Sequence, residues 1–146
     1  LNHIDVTDEI RTPKVNAMVS QVSHIPQVRD NMANFQRKMA EGKDVIMEGR
    51  DIGTNVFPNA DVKIYLDATP EERAKRRILQ NQEKGIESTY EEILENIKFR
   101  DHNDKTSSVA PLKQAEDAIY VDSSHLTIEE VTDKIIKIIQ ERREKK

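Results

Sequence analysis

Short apolar runs alternate along this chain with segments that open on helix-capping signals, and few folds accept that order. The runs cover residues 44–47, 62–67 and 118–122, and each reads as a strand. Between and after them, a Ser or Thr is followed three residues later by Glu: Thr69 with Glu72, Ser88 with Glu91, and Thr127 with Glu130. That spacing lets side chain and backbone cap a helix N-terminus reciprocally. Pro70 stands at the favoured first helical position and Gly85 suits the helix end. On the last helix Ile128, Val131, Ile135, Ile138 and Ile139 share a face that can pack on a sheet. Upstream, Pro26 opens a helix with Val28, Met32, Phe35 and Met39 at helical spacing and Gly42 as its stop, a stripe that reads as core rather than as a ligand box. Strands alternating with helices predict an α/β fold, a parallel sheet with flanking helices. Leu1 to Thr7 alternates like the end of a strand with no initiator Met before it. Three strands are also few for such a sheet, so the expectation is a sheet incomplete at the N-terminus.

Composition restricts the function classes. The 146 residues are one domain's worth, with 36% hydrophobic and 34% charged residues. No apolar run approaches the roughly 20 residues of a membrane span, and no cationic-then-apolar start suggests a signal peptide. The expectation is a cytoplasmic protein with no membrane partner. There is no cysteine, and His3, His24, His102 and His125 lack ligand spacing, so no structural zinc is expected. A net charge of -4 argues against a general nucleic-acid binder. Basic residues still cluster locally: Arg73, Lys75, Arg76 and Arg77 form one block, and Arg142 to Lys146 another, the latter read as a solvated helix end.

The chemistry concentrates at Gly49-Arg50-Asp51-Ile52-Gly53-Thr54, directly after the apolar run Val45-Ile46-Met47 and Glu48. An α/β sheet delivers polar groups to the crevice beyond its strand ends in this way, although a loop ion pair between Arg50 and Asp51 satisfies the same residues. Arg73 and Arg77 lie four apart on one helical face with Arg76 beside them, and Arg100 and Asp104 are also four apart, a spacing that equally suits surface ion pairs. With Arg29 and Arg50 they give an acidic protein several arginines near loops. The planar guanidinium fork matches phosphate oxygens and keeps its charge, which makes phosphate the leading ligand class. A carboxylate such as Asp51 or Asp104 beside it suits an exocyclic amine or sugar hydroxyls.

Glu48 to Thr54, with Val56-Phe57-Pro58, Val62 to Asp67, Pro70 to Arg77, Arg100 to Leu112 and Ala115 to Asp122, resembles the bacterial cytidylate kinases. Asp5 to Thr12, Val19 to Val22 and Pro26 to Arg29 are similar to the same family. The resemblance implies a P-loop NTPase-like nucleoside monophosphate kinase fold. It assigns 1–43 to the acceptor-binding region and 44–146 to the C-terminal part of the core, with a lid around 70–107. It also implies phosphoryl transfer from ATP, with Mg2+, to CMP or dCMP, giving CDP or dCDP and ADP. By the same resemblance Ser20, Arg29 and Asp51 contact cytosine, and Arg50 reaches the acceptor phosphate. Arg100 and Asp104 address the sugar and nearby phosphate, Arg73, Arg76 and Arg77 form the lid over the ATP phosphates, and Glu48 orients a magnesium-bound water. The residues expected to carry catalysis are Arg50, Arg76, Arg100 and Asp104.

Three positions depart from the family pattern. No GxxxxGK[ST] loop is present, because the only glycines are Gly42, Gly49, Gly53 and Gly85. Without it the donor phosphates lack their cradle, and the chain alone is expected to be a very poor kinase, as the C-terminal part of a longer one. Ser107 stands where the family usually has another arginine, and Glu48 replaces an aspartate. Two competing readings are a catalytically inactive nucleotide-binding or regulatory module retaining the CMP site, and a structural interaction domain with no nucleotide response.

Overall fold

In a computed structural model, the described residues are 3–23, 25–106 and 111–144. The chain divides into two compact units, Leu1–Met47 and Glu48–Lys146.

The first unit is helical among its described residues. Of the stretch 1–7, which the alternation predicts to be a strand end, the described residues 3–7 form no strand. Asp5 Oδ1 accepts from the backbone N–H of Thr7 at 3.0 Å and from its hydroxyl at 2.6 Å, a local turn that competes with extended pairing. A 3-10 turn, Glu9–Arg11, follows, then α1 (Pro13–Ser23) and α2 (Pro26–Ala40). Pro26 occupies the first turn of α2 as predicted. Just beyond its end Gly42 takes φ 67°, a left-handed conformation that a side chain disfavours. The buried residue of α2 is Ala33, whereas Met32 and Met39 are exposed and Phe35 is 58% exposed. The expected core stripe is therefore a half-open face. Residues 44–47 form no strand, and Ile46 is 96% exposed. A strand exists only through a neighbour that takes its N–H and C=O groups, and none of the described residues pairs with this run.

The second unit holds a parallel pair, β1 (Ile64–Asp67) and β2 (Ile119–Asp122), in register from Ile64 with Ile119 to Asp67 with Asp122. Ile119 N donates to Lys63 O at 2.9 Å and Ser123 N to Asp67 O at 2.8 Å, so the ladder runs slightly past both ends. Val121 is fully buried, and Ala68, Ser123 and Ser124 are buried at the strands' C-terminal ends.

Helices α3 (Pro70–Glu83) and α4 (Tyr90–Thr106) lie between the strands in sequence, and α5 (Ile128–Arg143) follows β2. The cap of α3 is at Thr69, whose side chain accepts from Glu72 N, with Pro70 in the first turn and Gly85 at φ 66° beyond the end. The predicted cap of α4 is displaced by one residue. Thr89, not Ser88, caps it: Glu92 N donates to Thr89 Oγ1 at 3.3 Å, and Thr89 N donates to Glu92 Oε2 at 3.2 Å. Ser88 is instead engaged by Asn81 Nδ2 at 2.8 Å. The full reciprocal box at Thr127 and Glu130 opens α5 as predicted. Of the apolar stripe on α5, Val131, Ile135, Ile138 and Ile139 are half-buried while Ile128, in the first turn, is 82% exposed.

The helices α3 and α4 form an antiparallel hairpin, with Ala74 and Ile93 buried. Asn81 and Ser88 close its turn, while Lys98 with Glu71 (3.2 Å) and Arg73 with Asp101 close its open end. No helix among the described residues is long and apolar enough to cross a membrane.

Candidate functional site

The loop after Glu48 folds the way its glycines allow. Gly49 leaves room for Ile52, whose Cγ1 would stand 2.7 Å from any Cβ added there. Next comes a single wide π-helical turn, Ile52–Val56, in which Val56 N reaches Asp51 O at 3.3 Å and Phe57 N reaches Ile52 O at 2.7 Å. Turns of this kind are rare and are frequent at functional sites. Buried Val56 anchors it, and Asp51 Oδ2 accepts from Asn55 Nδ2 at 3.1 Å.

Arg50 meets Asp104 of α4. The Arg50 side chain is 42% exposed. Its pKa lies below the ordinary value, first because burial penalises the charge and next because Arg100 adds a like charge, while Asp101 opposes the shift and Arg73 adds to it. Arg50, Arg73 and Arg100 thus gather with Asp101 and Asp104, and Asp67, Glu71 and Lys105 also act on members of this cluster. Its guanidinium forks beside a glycine turn, rather than any excess of charge, suit an anion with several oxygens.

The arginine block on α3 is divided in its contacts. Arg73 donates Nε to Ala68 O at 3.1 Å and Nη1 to Asp101 Oδ1 at 2.9 Å, with Nη2 on Asp101 Oδ2. Arg76 donates to the Ser123 carbonyl and, at 3.3 Å, to its hydroxyl, which ties α3 to the end of β2. Arg77 is exposed. In the first unit Arg29 donates Nη1 to Ser23 O at 3.4 Å. Ser20 lies on α1 but its side chain is outside the described residues, as is Ser107. Glu48 is an exposed carboxylate, and no group of three or more His, Cys, Asp or Glu among the described residues could hold a metal by itself. That donor set fits Mg2+ only as one carboxylate beside substrate phosphates and water.

Asp101 and Ser123 were not picked out by sequence spacing. The available signal for Asp101 was its position next to Arg100, opposite an arginine block in need of carboxylates.

Residues 1–141 match the sequence profile of the family described as Cytidylate kinase. The chain belongs to the cytidylate kinase family. It is 53% identical over 134 residues to a protein named cytidylate kinase from Caldicellulosiruptor saccharolyticus, covering 92% of this chain and 59% of that one. It is 51% identical over 140 residues to the one from Fusobacterium nucleatum (96% and 64%). With that from Lactobacillus johnsonii it shares 49% over 142 residues (97% and 62%). The chain therefore spans about three-fifths of the length of these relatives. Cytidylate kinase membership implies a P-loop NTPase-like fold, with which the parallel pair β1–β2 and its helices are compatible.

Proposed function

We propose that this chain carries the acceptor side of a kinase that moves the terminal phosphoryl group of ATP to CMP or dCMP, giving CDP or dCDP and ADP. The observation that carries the reading is the convergence of Arg50, Arg100 and Asp104 beside the Gly49 turn, in a member of the cytidylate kinase family. In this reading the acceptor phosphate displaces Asp104 from Arg50 and takes the guanidinium fork. The freed carboxylate, with Arg100, then addresses the sugar. Asp51, Arg29 and Ser20 recognise the cytosine, and the α3–α4 hairpin acts as the lid, with Arg76 and Arg77 nearest to the donor role. Magnesium would be held by phosphates and water, with Glu48 orienting one of those waters, and it would neutralise charge on the transferring group. Phosphoryl transfer asks the protein mainly for positioning and charge neutralisation, which arginines supply without reacting.

No two glycines of the chain have the five-residue spacing of GxxxxGK[ST], so the proposal leaves the donor phosphates uncradled by these 146 residues. Calorimetric titration with CMP, UMP, AMP and GMP tests the acceptor site. CMP is expected to bind selectively, and Arg50→Ala to weaken it by at least about tenfold, the loss of one charge-assisted pair. Unchanged affinity in Arg50→Ala would sink the assignment. Selective CMP binding without ADP formation from ATP would favour the nucleotide-binding module over the enzyme.

A further inference from the structure

We propose that Asp101 is a positioning residue: by forking onto Arg73 it fixes the last turns of α4, and with them Arg100 and Asp104, against the end of β1. The inference rests on the acceptor-site reading above. It also takes Arg73 out of the group that would meet donor phosphates.

The argument begins with the three nitrogens of one guanidinium. Nε donates to the carbonyl of Ala68, the first residue after β1, while Nη1 and Nη2 each donate one N–H to the two oxygens of Asp101, three of the five donors. Ala68 is buried and Arg73 sits in the first turn of α3, so a single side chain joins β1, α3 and α4. An arginine engaged on all three nitrogens loses every bond together if it turns towards another anion. It therefore serves as a connector rather than a mobile ligand. Arg76 differs, since its bonds go to the one residue Ser123.

What the connector holds is the part of α4 that bears the site. Arg100 directly precedes Asp101, and Asp104, three residues on and a neighbour on the helix surface, meets Arg50. Near its other end α4 is set by the Thr89–Glu92 box. Lys98 with Glu71 is the remaining ion pair between the hairpin's helices among the described residues, and both of its side chains are about half exposed, where such pairs contribute little.

A plain countercharge role for Asp101 predicts the opposite sign. Removing a negative charge from an arginine cluster should strengthen phosphate binding and steepen its salt dependence. Loss of positioning should weaken binding in spite of the added positive charge.

The test uses the 146-residue chain with two variants, Asp101→Asn and Arg73→Lys, the second keeping the charge and losing the fork. Amide hydrogen exchange and CMP titration at two salt concentrations are the readouts. In both variants exchange at residues 100–106 is expected to rise about tenfold, the loss of one charge-assisted interaction, while residues 90–94 stay unchanged. CMP affinity is expected to fall about tenfold, with partial recovery in Asp101→Glu. Unchanged exchange at 100–106 overturns the proposal, and so does equal or tighter CMP binding in Asp101→Asn. If the unaltered chain fails to bind CMP, the acceptor-site reading falls, while the exchange data still decide whether the fork holds α4.

Discussion

Replacing Gly49 with Ala puts a methyl group where Ile52 already stands. The new Cβ would lie 2.7 Å from Ile52 Cγ1 and 3.0 Å from Cδ1, so Ile52 must move about 0.7 Å to restore the 3.4 Å at which ordinary contact begins. Cγ1 belongs to a β-branched side chain with few χ1 choices. Relief therefore needs either an off-rotamer Ile52, costing about 0.5–1.5 kcal/mol, or a shift of the turn, costing about 1–3 kcal/mol. Against this, Ala restricts the unfolded chain and returns about 0.4–1 kcal/mol, because the φ at Gly49 is not left-handed. The net expectation runs from near neutral, where Ile52 leaves its rotamer, to a destabilisation of about 2 kcal/mol, where the turn shifts. In urea unfolding followed by circular dichroism this lowers the midpoint by up to about 1 M. The decisive step is to repeat the substitution in an Ile52→Ala background, where the clash is gone and only the unfolded-state term remains. There Gly49→Ala should stabilise by about 0.4–1 kcal/mol. The reasoning is refuted if Gly49→Ala changes stability by the same amount in both backgrounds.

Three further outcomes are expected. Val121→Ala removes two methyl groups from a fully buried site in β2 and should cost about 2–3 kcal/mol, whereas Leu66→Ala at its exposed register partner should cost less than about 1 kcal/mol, both read by urea midpoint. For α4, Glu92→Ala should lower stability by about 1 kcal/mol while Glu91→Ala stays near neutral, since the capping box belongs to Thr89; thermal melts of the pair check this. Asp101 is held below the usual carboxyl range, first by its hydrogen bonds with Arg73. Its contribution is therefore present above the unfolded value of about 3.9 and is lost as pH falls through the lower folded value. Melting temperatures measured below pH 5 should fall less steeply in Asp101→Asn.

Features set within one turn of chain were legible in the sequence. Thr69, Pro70, Gly85 and Thr127 mark helix ends because the bonds they make or free are three or four residues away. The α4 cap was ambiguous for the same local reason: Ser88 and Thr89 each have a glutamate three residues on. Asn81, seven residues back from Ser88, engages that hydroxyl. Residues 44–47 show the converse, because an apolar run carries strand propensity but becomes a strand only when another segment takes its backbone groups, and none of the described residues does. The candidate site followed the same division. Arg50, Arg100 and Asp104 were marked by charge and spacing and are brought together, but the pairing of Arg50 with Asp104 and of Arg73 with Asp101 spans separate elements. Nothing in the spacing of Arg100 and Asp104 showed that a second acid between them, Asp101, would clasp Arg73.

Loop-closure entropy gives the parallel pairing of β1 with β2 an expected order of events during folding. Thr69 N and Ser124 Oγ, which join the two strand ends, are 55 positions apart, and the loop entropy of such a closure must be met before any ladder bond forms. The α3–α4 hairpin lies wholly inside that interval, its turn closed by residues only seven apart. Once the hairpin has formed, most of the connection is no longer a free coil, and β2 reaches β1 across a short effective gap. The helices that carry the arginines thus also serve as the folding bridge between two strands that local sequence alone would never bring together.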